Sequence, residues 1–392
     1  MDLVMLLNYL IAFFSLFVVN VFILLYIKHK DTYLKPPQKT DWEPTVSVVI
    51  PAHNEGKYLE QCIETVLAVD YPKEKLEIIV VDDGSTDNTY EIAKGFKEIQ
   101  AFKTKNKGKG AAINFGLKKA KGELVATMDA DSFLTKNTLR ELIPYFEDQK
   151  VMAVTPAVKV KASNSWIKEL QRIEYLMILF SRKLLSFIDS VPVTPGPFSM
   201  FRTKVFDEIG YFDEHNLVED QEIALRIQSH HYKIRSSMTA DVYTEPPDNL
   251  RDLLKQRVRW QRGGFRNYWR YKSLIKPEYG DFGMYFVPLN FATITAFFLL
   301  LGLMAHSVIS TPYYTQYIWF DAFGMSLGFF TFIGMFVIAT SILFLWLSVK
   351  SFKGEQVKLR YLLSFIVFYW YLMIGYNSLF ILKELRRESC TW

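Results

Sequence analysis

Carboxylates occur in three short clusters along the middle of this 392-residue chain, and a basic and aromatic cluster follows them. Two carboxylates close together can hold a cation with the diphosphate of a nucleotide, and a third can take up a proton. An arginine can bind a diphosphate through its planar guanidinium group, and a tryptophan ring offers a stacking face. These residue types therefore indicate a metal-assisted transfer from a nucleotide. The clusters are Asp82-Asp83, Asp129-Ala130-Asp131, Glu219-Asp220 and Gln256-Arg257-Val258-Arg259-Trp260.

The first two carboxylate clusters follow segments that are rich in Val, Ile and Leu, which indicates buried strands. Because predicted helices alternate with these strands, we expect an open, mostly parallel sheet with helices on both faces. Ligands of such sheets bind at the carboxyl ends of the strands, where His53-Asn54-Glu55 also falls. The predicted strands are Thr45–Pro51, Leu76–Asp82 and Leu124–Asp129, and the predicted helices are Tyr58–Ala68, Asp87–Gly95 and Gly110–Ala120.

The segment from Asp82 to Asp87 has two possible roles. Short carboxylates at a strand end can accept hydrogen bonds from a ribose or a base. Alternatively, Ser85, Thr86 and Asp87 can cap the following helix. Asp129 and Asp131 point the same way if the segment is extended, about 7 Å apart. Such a pair suits Mg²⁺ or Mn²⁺ together with a diphosphate.

A glycine-rich loop, Asn106–Gly110, precedes a predicted helix, and backbone N–H groups there can approach a phosphate. A Walker-type loop requires Ser or Thr where Gly110 stands. A dinucleotide fingerprint requires glycine where Ile113 stands. Both of these nucleotide-binding motifs are therefore excluded.

Four apolar runs predict membrane-spanning helices. Leu3–Ile27 is long enough to cross a bilayer, and the basic residues from Lys28 onward predict a cytoplasmic position for the segment that follows. The connector Ser310–Gln316 has no Lys or Arg and suits the outer face, whereas Lys350–Arg360 is basic and suits the inner face. The last run would then send Lys383, Arg386 and Arg387 outward, so its orientation stays open. The three C-terminal runs are Met284–Ile309, Gly324–Val349 and Tyr361–Leu382.

Two further predicted helices, Trp166–Ile188 and Leu250–Ile275, mix basic with aromatic residues. This composition is typical of helices in the lipid headgroup region. A solvated basic face or a nucleic-acid surface is the alternative, but a membrane run begins only about 10 residues later, which favours lipid. The arginines around Arg259 are accordingly expected to face lipid. The two cysteines, Cys62 and Cys390, exclude a disulfide framework.

The order of these clusters resembles the membrane-embedded inverting glycosyltransferases of family 2, which include cellulose, chitin, hyaluronan and poly-N-acetylglucosamine synthases. Gln256–Trp260 matches the Q-x-x-R-W pattern of that family without departure. Val218 stands where the family frequently has Thr, but the carboxylates that follow are kept. The resemblance implies an α/β nucleotide-sugar-binding domain of the GT-A-like type, accompanied by transmembrane and interfacial α-helices.

The resemblance also implies roles for individual residues. Asp220 is expected to be the catalytic base with Glu219 beside it, although both carboxylates would also favour the positive end of a helix. Asp131 is expected to bind the Mg²⁺ or Mn²⁺ ion, with Asp129 as a second ligand or a nucleotide contact. Donor contacts are expected from Asp82, Asp83, Lys109, Asp129, Arg259 and Glu55, and acceptor contacts from Trp260, Gln256, Gly196 and Phe198.

The expected organisation is an anchor at 1–30, a cytosolic catalytic domain at 40–248, a basic interfacial segment at 249–282 and a membrane region at 283–392. The protein would be a multi-pass plasma-membrane enzyme that uses a nucleotide sugar, most simply a UDP-sugar, to make a β-linked polysaccharide. Its expected partners are that donor, a growing glycan or lipid acceptor and membrane lipids, with no nucleic acid. A glycolipid synthase, and more remotely a non-catalytic scaffold or transporter, are the alternatives. Oligomeric state is left open.

Overall fold

A computed structural model describes residues 3–38, 40–310, 329–352 and 354–386 of the chain. Its centre is an eight-stranded sheet in the order β3-β2-β1-β4-β7-β6-β8-β5. Strands β3, β2, β1 and β4 are parallel to one another, and β7 runs antiparallel to both of its neighbours. The strands are β1 (Val46–Ala52), β2 (Leu76–Asp82), β3 (Gln100–Lys103), β4 (Leu124–Thr127), β5 (Ser132–Leu134), β6 (Val151–Val160), β7 (Ser199–Arg202) and β8 (Lys233–Thr244).

Both faces of the parallel half of the sheet are covered by helices. Val48 and Ile50 of β1 belong to one buried cluster, and Val49 between them belongs to the cluster on the opposite face. Because both faces are buried, the strand consists almost entirely of apolar residues, which is why the sequence reveals it. The predicted parallel sheet is thus confirmed, whereas the short strand β3 was not predicted.

The helices that cover the sheet lie close to their predicted positions. The predicted caps of α3 are wrong, because this helix begins at Thr89 and has no side-chain cap. Asp87 instead accepts hydrogen bonds from Gly56 and Thr89, and Ser85 accepts one from Asn54. The helices are α2 (Leu59–Leu67), α3 (Thr89–Gly95), α4 (Lys109–Leu117), α5 (Thr138–Leu142), α6 (Trp166–Ser186), α7 (Val205–Ile209), α8 (Glu219–Ser229) and α9 (Leu250–Arg270).

Four stretches of helix are long and apolar enough to cross a membrane: Leu3–His29, Phe282–Leu303, Ile333–Lys350 and Leu359–Leu385. Helix α1 packs against α11, and α13 packs along α9. The start of the predicted run Gly324–Val349 lies outside the described residues. Most of the connector Ser310–Gln316 lies outside them too, as do Arg387 and Cys390. The helices are α1 (Leu3–His29), α10 (Val287–Ser310), α11 (Phe329–Lys350), α12 (Leu359–Ser364) and α13 (Trp370–Leu385).

The basic helices α6 and α9 hold much of their charge inside the protein. Arg257 and Arg262 of α9 are 3% and 5% exposed and pair with Glu174 and Glu384. Arg182 of α6 is also buried. The expectation that the arginines near Arg259 face lipid is therefore wrong for these side chains. A buried arginine needs a carboxylate or other acceptor beside it, and helices brought together by the fold supply these acceptors.

Candidate active site

A polar cavity of about 400 Å³ opens at the carboxyl ends of β1, β2 and β4. Parallel strands end at the same edge of the sheet, so side chains that are distant in sequence meet there. Four of the six predicted donor contacts, Glu55, Asp83, Lys109 and Asp129, line this cavity, together with the predicted metal ligand Asp131. Its polar lining consists of His53, Glu55, Asp83, Asn106, Gly108, Lys109, Asp129 and Asp131.

Asp83 shapes the wall of this cavity by holding the glycine-rich loop. Its carboxylate accepts hydrogen bonds from the backbone N–H of Lys107 at 3.0 Å and of Gly108 at 2.7 Å. Gly108 has a φ of +96°, which residues with a side chain rarely adopt. The loop therefore turns sharply into α4 and places Lys109 at the first position of that helix.

Asp82 does not reach the cavity, and its predicted donor contact is corrected by the structure. The residue is completely buried, and one carboxylate oxygen accepts a hydrogen bond from the backbone N–H of Ser85 at 3.1 Å. The other oxygen is 3.8 Å from the Lys103 amino group. Asp82 is the last residue of β2. Because successive side chains along a strand point to opposite faces of the sheet, Asp82 points away from the side on which Asp83 lines the cavity.

Glu55, Asp129 and Asp131 form an acidic group in this first cavity. Burial, followed by repulsion from Asp129 and Glu55, raises the pKa of Asp131 to about 7. Burial and the charge of Asp129 also raise the pKa of Glu55. Among the described residues, no three His, Cys, Asp or Glu side chains converge in a metal-binding arrangement. The group nevertheless fits a divalent cation that takes its remaining ligands from a diphosphate, because the cation would relieve the repulsion.

Lys109 connects the acidic group to the Glu219-Asp220 motif. Its amino group is 2.6 Å from Asp129 and 3.5 Å from Glu219. Burial by itself would lower the pKa of Lys109, but the carboxylates of Asp129 and Glu219 outweigh burial and raise the pKa. Lys109 is therefore a fixed positive charge between the second and third carboxylate clusters.

The segment from Thr194 to Gly196 brings these two clusters together. Asp129 donates its backbone N–H to the carbonyl of Gly196 at 3.1 Å, and Thr194 donates to the carbonyl of Asp220 through its N–H and its hydroxyl. A Cβ atom at Gly196 would lie 2.7 Å from both the Asp129 carboxylate and the Lys109 amino group. A side chain at this position would therefore force the Asp129–Lys109 ion pair to shift.

Asp220 lies in the first turn of α8, where the positive end of a helix favours a carboxylate. Burial and the neighbouring charge of Glu219 nevertheless raise the pKa of Asp220 to about 6, against the opposing influence of Lys109 and Arg259. A carboxylate with a pKa near 6 is ionised at neutral pH and is a stronger base than an ordinary aspartate. Its environment therefore suits the removal of a proton.

A second cavity, of about 280 Å³, has both Gly196 and Asp220 in its wall. Unlike the first cavity, it is lined mainly by apolar and aromatic side chains from α6, the segment after α6 and α9. Two of the predicted acceptor contacts, Gly196 and Trp260, belong to this wall. The other lining residues include Tyr175, Ile178, Leu179, Arg182, Pro192 and Pro197.

The remaining predicted acceptor contacts are placed differently. Phe198 is completely buried in the hydrophobic core with Val48 and Met200, so acceptor contact is corrected to a packing role. Gln256 is partly buried and accepts a hydrogen bond from Arg257 through its side-chain carbonyl. Arg259, a predicted donor contact, does not line the first cavity; it is partly buried and acts electrostatically on Asp220.

Two residues of the second cavity, Tyr175 and Arg182, were not identified from the sequence as site residues. Arg182 is 3% exposed, donates to the carbonyl of Pro156 at 2.9 Å and leaves its Nε without a partner. Burial lowers the pKa of Arg182 to about 10. Neither residue belongs to a local motif, so only the packing of α6 against the site could reveal them.

The sheet has the GT-A-like arrangement, and comparison with known proteins supports the assignment of the chain to the glycosyltransferases. Residues 47–210 match the family model described as glycosyl transferase family 2, so the chain contains a domain of that family. A mannosyltransferase from Pyrobaculum calidifontis, solved with GDP-Man and Mn²⁺, superposes with a TM-score of 0.62 at 22% identity. The match covers 87% of this chain and 99% of that structure, and it supports the fold.

Similar sequences are found among bacterial polysaccharide synthases. A poly-β-1,6-N-acetyl-D-glucosamine synthase of Staphylococcus epidermidis is 27% identical over 365 residues, covering 88% of this chain and 86% of that protein. The enzyme of the same name from Staphylococcus aureus strain COL is 30% identical over 236 residues, covering 59% of this chain and 57% of that protein. The longer match extends beyond the catalytic domain into the membrane-span candidates.

Proposed function

We propose that this protein transfers N-acetylglucosamine from a UDP-linked donor to the end of a growing β-linked polysaccharide. The observation that carries the proposal is the closeness of a polar cavity and a largely apolar cavity. Gly196 in the wall of the second lies against the Asp129–Lys109 pair of the first, and Asp220 also lines the second. Similarity to the staphylococcal poly-β-1,6-N-acetyl-D-glucosamine synthases supports the choice of sugar and product.

The nucleotide would occupy the polar cavity with its diphosphate near Lys109. Asp129 and Asp131 would hold a divalent cation, Mg²⁺ or Mn²⁺, which when bound would neutralise charge on the departing diphosphate. The acidic group supports this assignment because its carboxylates otherwise repel one another and raise the pKa of Asp131. Lys109 would contribute a fixed positive charge on the leaving-group side.

The acceptor would enter from the apolar cavity with its terminal sugar against Trp260, since sugars present apolar faces that stack on aromatic rings. Asp220 would take the proton from the acceptor hydroxyl as its oxygen bonds to the anomeric carbon and the bond to the diphosphate breaks. The proton moves to the Asp220 carboxylate, and the electron pair leaves with the UDP. A single displacement inverts the anomeric configuration.

The catalytic domain would face the cytoplasm, where nucleotide sugars are made. The basic residues after α1 support this orientation through the positive-inside bias. The protein would then be a multi-pass plasma-membrane protein, with a catalytic domain at 40–248, a basic segment at 249–282 and spans on either side. Helix α9 supports a position for the site close to the membrane, since it packs on the span candidate that contains α13.

The proposal is tested by incubating detergent-purified full-length protein with a panel of UDP- and GDP-sugars and Mn²⁺ or Mg²⁺. Nucleotide release and the size of the radiolabelled product are measured. We expect UDP-N-acetylglucosamine to give a high-mass product. A single small product that extracts into organic solvent would instead identify a glycolipid synthase. Absence of nucleotide release from every donor would contradict the proposal.

A further inference from the structure

Glu174 of helix α6 lies outside every motif recognised in the sequence, yet it contacts Arg257 of the Q-x-x-R-W motif. Its carboxylate accepts two hydrogen bonds from Arg257, one from Nε at 3.0 Å and one from Nη2. The side chains of Arg257 and Glu174 are 3% and 12% exposed. This paired, two-point contact is the geometry in which arginine and carboxylate are held most rigidly.

Arg257 in turn contacts both predicted acceptor residues of its own motif. Its guanidinium carbon lies 4.1 Å from the centre of the Trp260 ring, within the range of a cation–π contact. Its Nη1 donates a hydrogen bond to the side-chain carbonyl of Gln256. Arg257 does not line the acceptor cavity, whereas Trp260 does. Its contacts therefore act on the acceptor side through Trp260 and Gln256.

Building on the proposed function, we infer that Glu174 is a positioning residue that orients the Trp260 face for the acceptor sugar through Arg257. Glu174 holds the guanidinium group of Arg257 in one orientation, and the Trp260 ring packs against that group. Without the carboxylate, the buried guanidinium would lose its ionic partner and turn toward other acceptors. The ring would then lose its support while the donor cavity stays intact.

The position of Glu174 favours this role over simple helix packing. Its neighbour Tyr175 is itself in the wall of the acceptor cavity, so α6 both lines this cavity and supports Trp260, a lining residue from α9. The same helix carries a second buried pair, in which Arg172 contacts Glu355 at 2.5 Å. The side chains of Arg172 and Glu355 are 4% and 10% exposed, so this pair is as buried as the first, and it does not contact Trp260.

The test compares Glu174→Gln with Glu355→Gln in full-length protein. The substrates are UDP-N-acetylglucosamine and a β-1,6-linked N-acetylglucosamine trisaccharide. We expect Glu174→Gln to lower kcat/KM for the trisaccharide about tenfold. The KM for the UDP-sugar should stay within about twofold of the wild-type value, and Glu174→Asp should restore part of the loss. Glu355→Gln should leave kcat/KM for the trisaccharide unchanged, although it removes a comparable buried pair.

A double-mutant cycle with Trp260→Ala separates positioning from a general structural effect. If Glu174 acts through the ring, Glu174→Gln adds no further loss in the Trp260→Ala background. The same tenfold loss in that background, or an equal change for donor and trisaccharide, would overturn the inference. If Glu174→Gln does not fold, Arg257→Lys keeps the charge but removes the planar contact, and the cycle is repeated with it. A wild-type protein that releases no UDP would count against the proposed function, and not against the positioning role.

Discussion

The two cavities of this protein are built in different ways. The donor cavity is polar, and residues that follow three neighbouring parallel strands surround it. The acceptor cavity is largely apolar and takes its walls from α6, the loop after it, α8 and α9. Charged groups in the first are suited to a nucleotide and a cation, and flat apolar surfaces in the second are suited to a sugar ring. Chemistry is therefore expected beside Gly196, where the Asp129–Lys109 pair of the first cavity adjoins the wall of the second that contains Asp220.

The largest effect is expected from removal of the proposed base, Asp220. Asp220→Asn should lower kcat by about 10²- to 10⁴-fold, because the acceptor hydroxyl would lose its proton acceptor. Binding of UDP-N-acetylglucosamine, measured by calorimetry, should change little, since Asp220 lines the acceptor cavity. Glu222→Gln is the matched control on the same helix, because its carboxylate pairs with Arg226 away from the cavities. Normal turnover by Asp220→Asn would contradict the assignment.

Removing the cation should weaken donor binding and stop turnover without changing the acceptor cavity. Chelation with EDTA should abolish turnover and weaken donor binding, and added Mn²⁺ or Mg²⁺ should restore both. Asp131→Asn should require a higher metal concentration for half-maximal activity, because one oxygen ligand is lost. The Asp220→Asn protein should keep the metal requirement of the wild type for donor binding. Full activity in EDTA would contradict the proposed role of the cation.

Gly196→Ala should disturb the point where the two cavities meet. The new methyl group would lie 2.7 Å from the Asp129 carboxylate and the Lys109 amino group, so the ion pair must move. A displacement of this kind costs about 10²-fold in rate when it misplaces reacting groups. Gly95→Ala is the control, because a Cβ atom there has nothing within 4 Å. Equal activity of the two variants would show that the ion pair is not required.

The pH profile should report the environment of Asp220. With a pKa of about 6, Asp220 becomes protonated as the pH falls. The value of kcat/KM should therefore fall about tenfold per pH unit well below 6. Glu219→Gln should move this limb to lower pH, because the charge of Glu219 raises the pKa of Asp220. If the acidic limb of the kcat/KM profile does not move in this variant, it reports the titration of a group other than Asp220.

The donor cavity could be predicted well from the sequence, because its residues follow buried apolar strands. Glu55, Asp83 and Asp129 were all placed at strand ends, and all three line the cavity. Asp82 was misplaced because adjacent carboxylates at a strand end point in opposite directions, and the sequence does not state which one faces the ligand. In this part of the molecule, local pattern and tertiary position coincide.

Fewer residues of the acceptor cavity could be predicted from the sequence. Trp260 was identified through a resemblance, but Tyr175 and Arg182 lie in a helix whose composition suggested contact with lipid. Their burial depends on the packing of α6 against the sheet and the membrane-span candidates, which no local pattern encodes. The family resemblance implies acceptor contact for Phe198, whereas its side chain is buried in the core.

The most direct test of the account is the anomeric configuration of the first product. Purified protein is given UDP-N-acetylglucosamine, the cation and an acceptor trisaccharide, and the new linkage is examined by proton NMR at early times. The account predicts a β-linkage formed from the α-linked donor, because the acceptor oxygen approaches from the Asp220 side while the diphosphate departs from the other. An α-linkage would require two displacements or a front-side attack, and it would contradict a single displacement with Asp220 as the base.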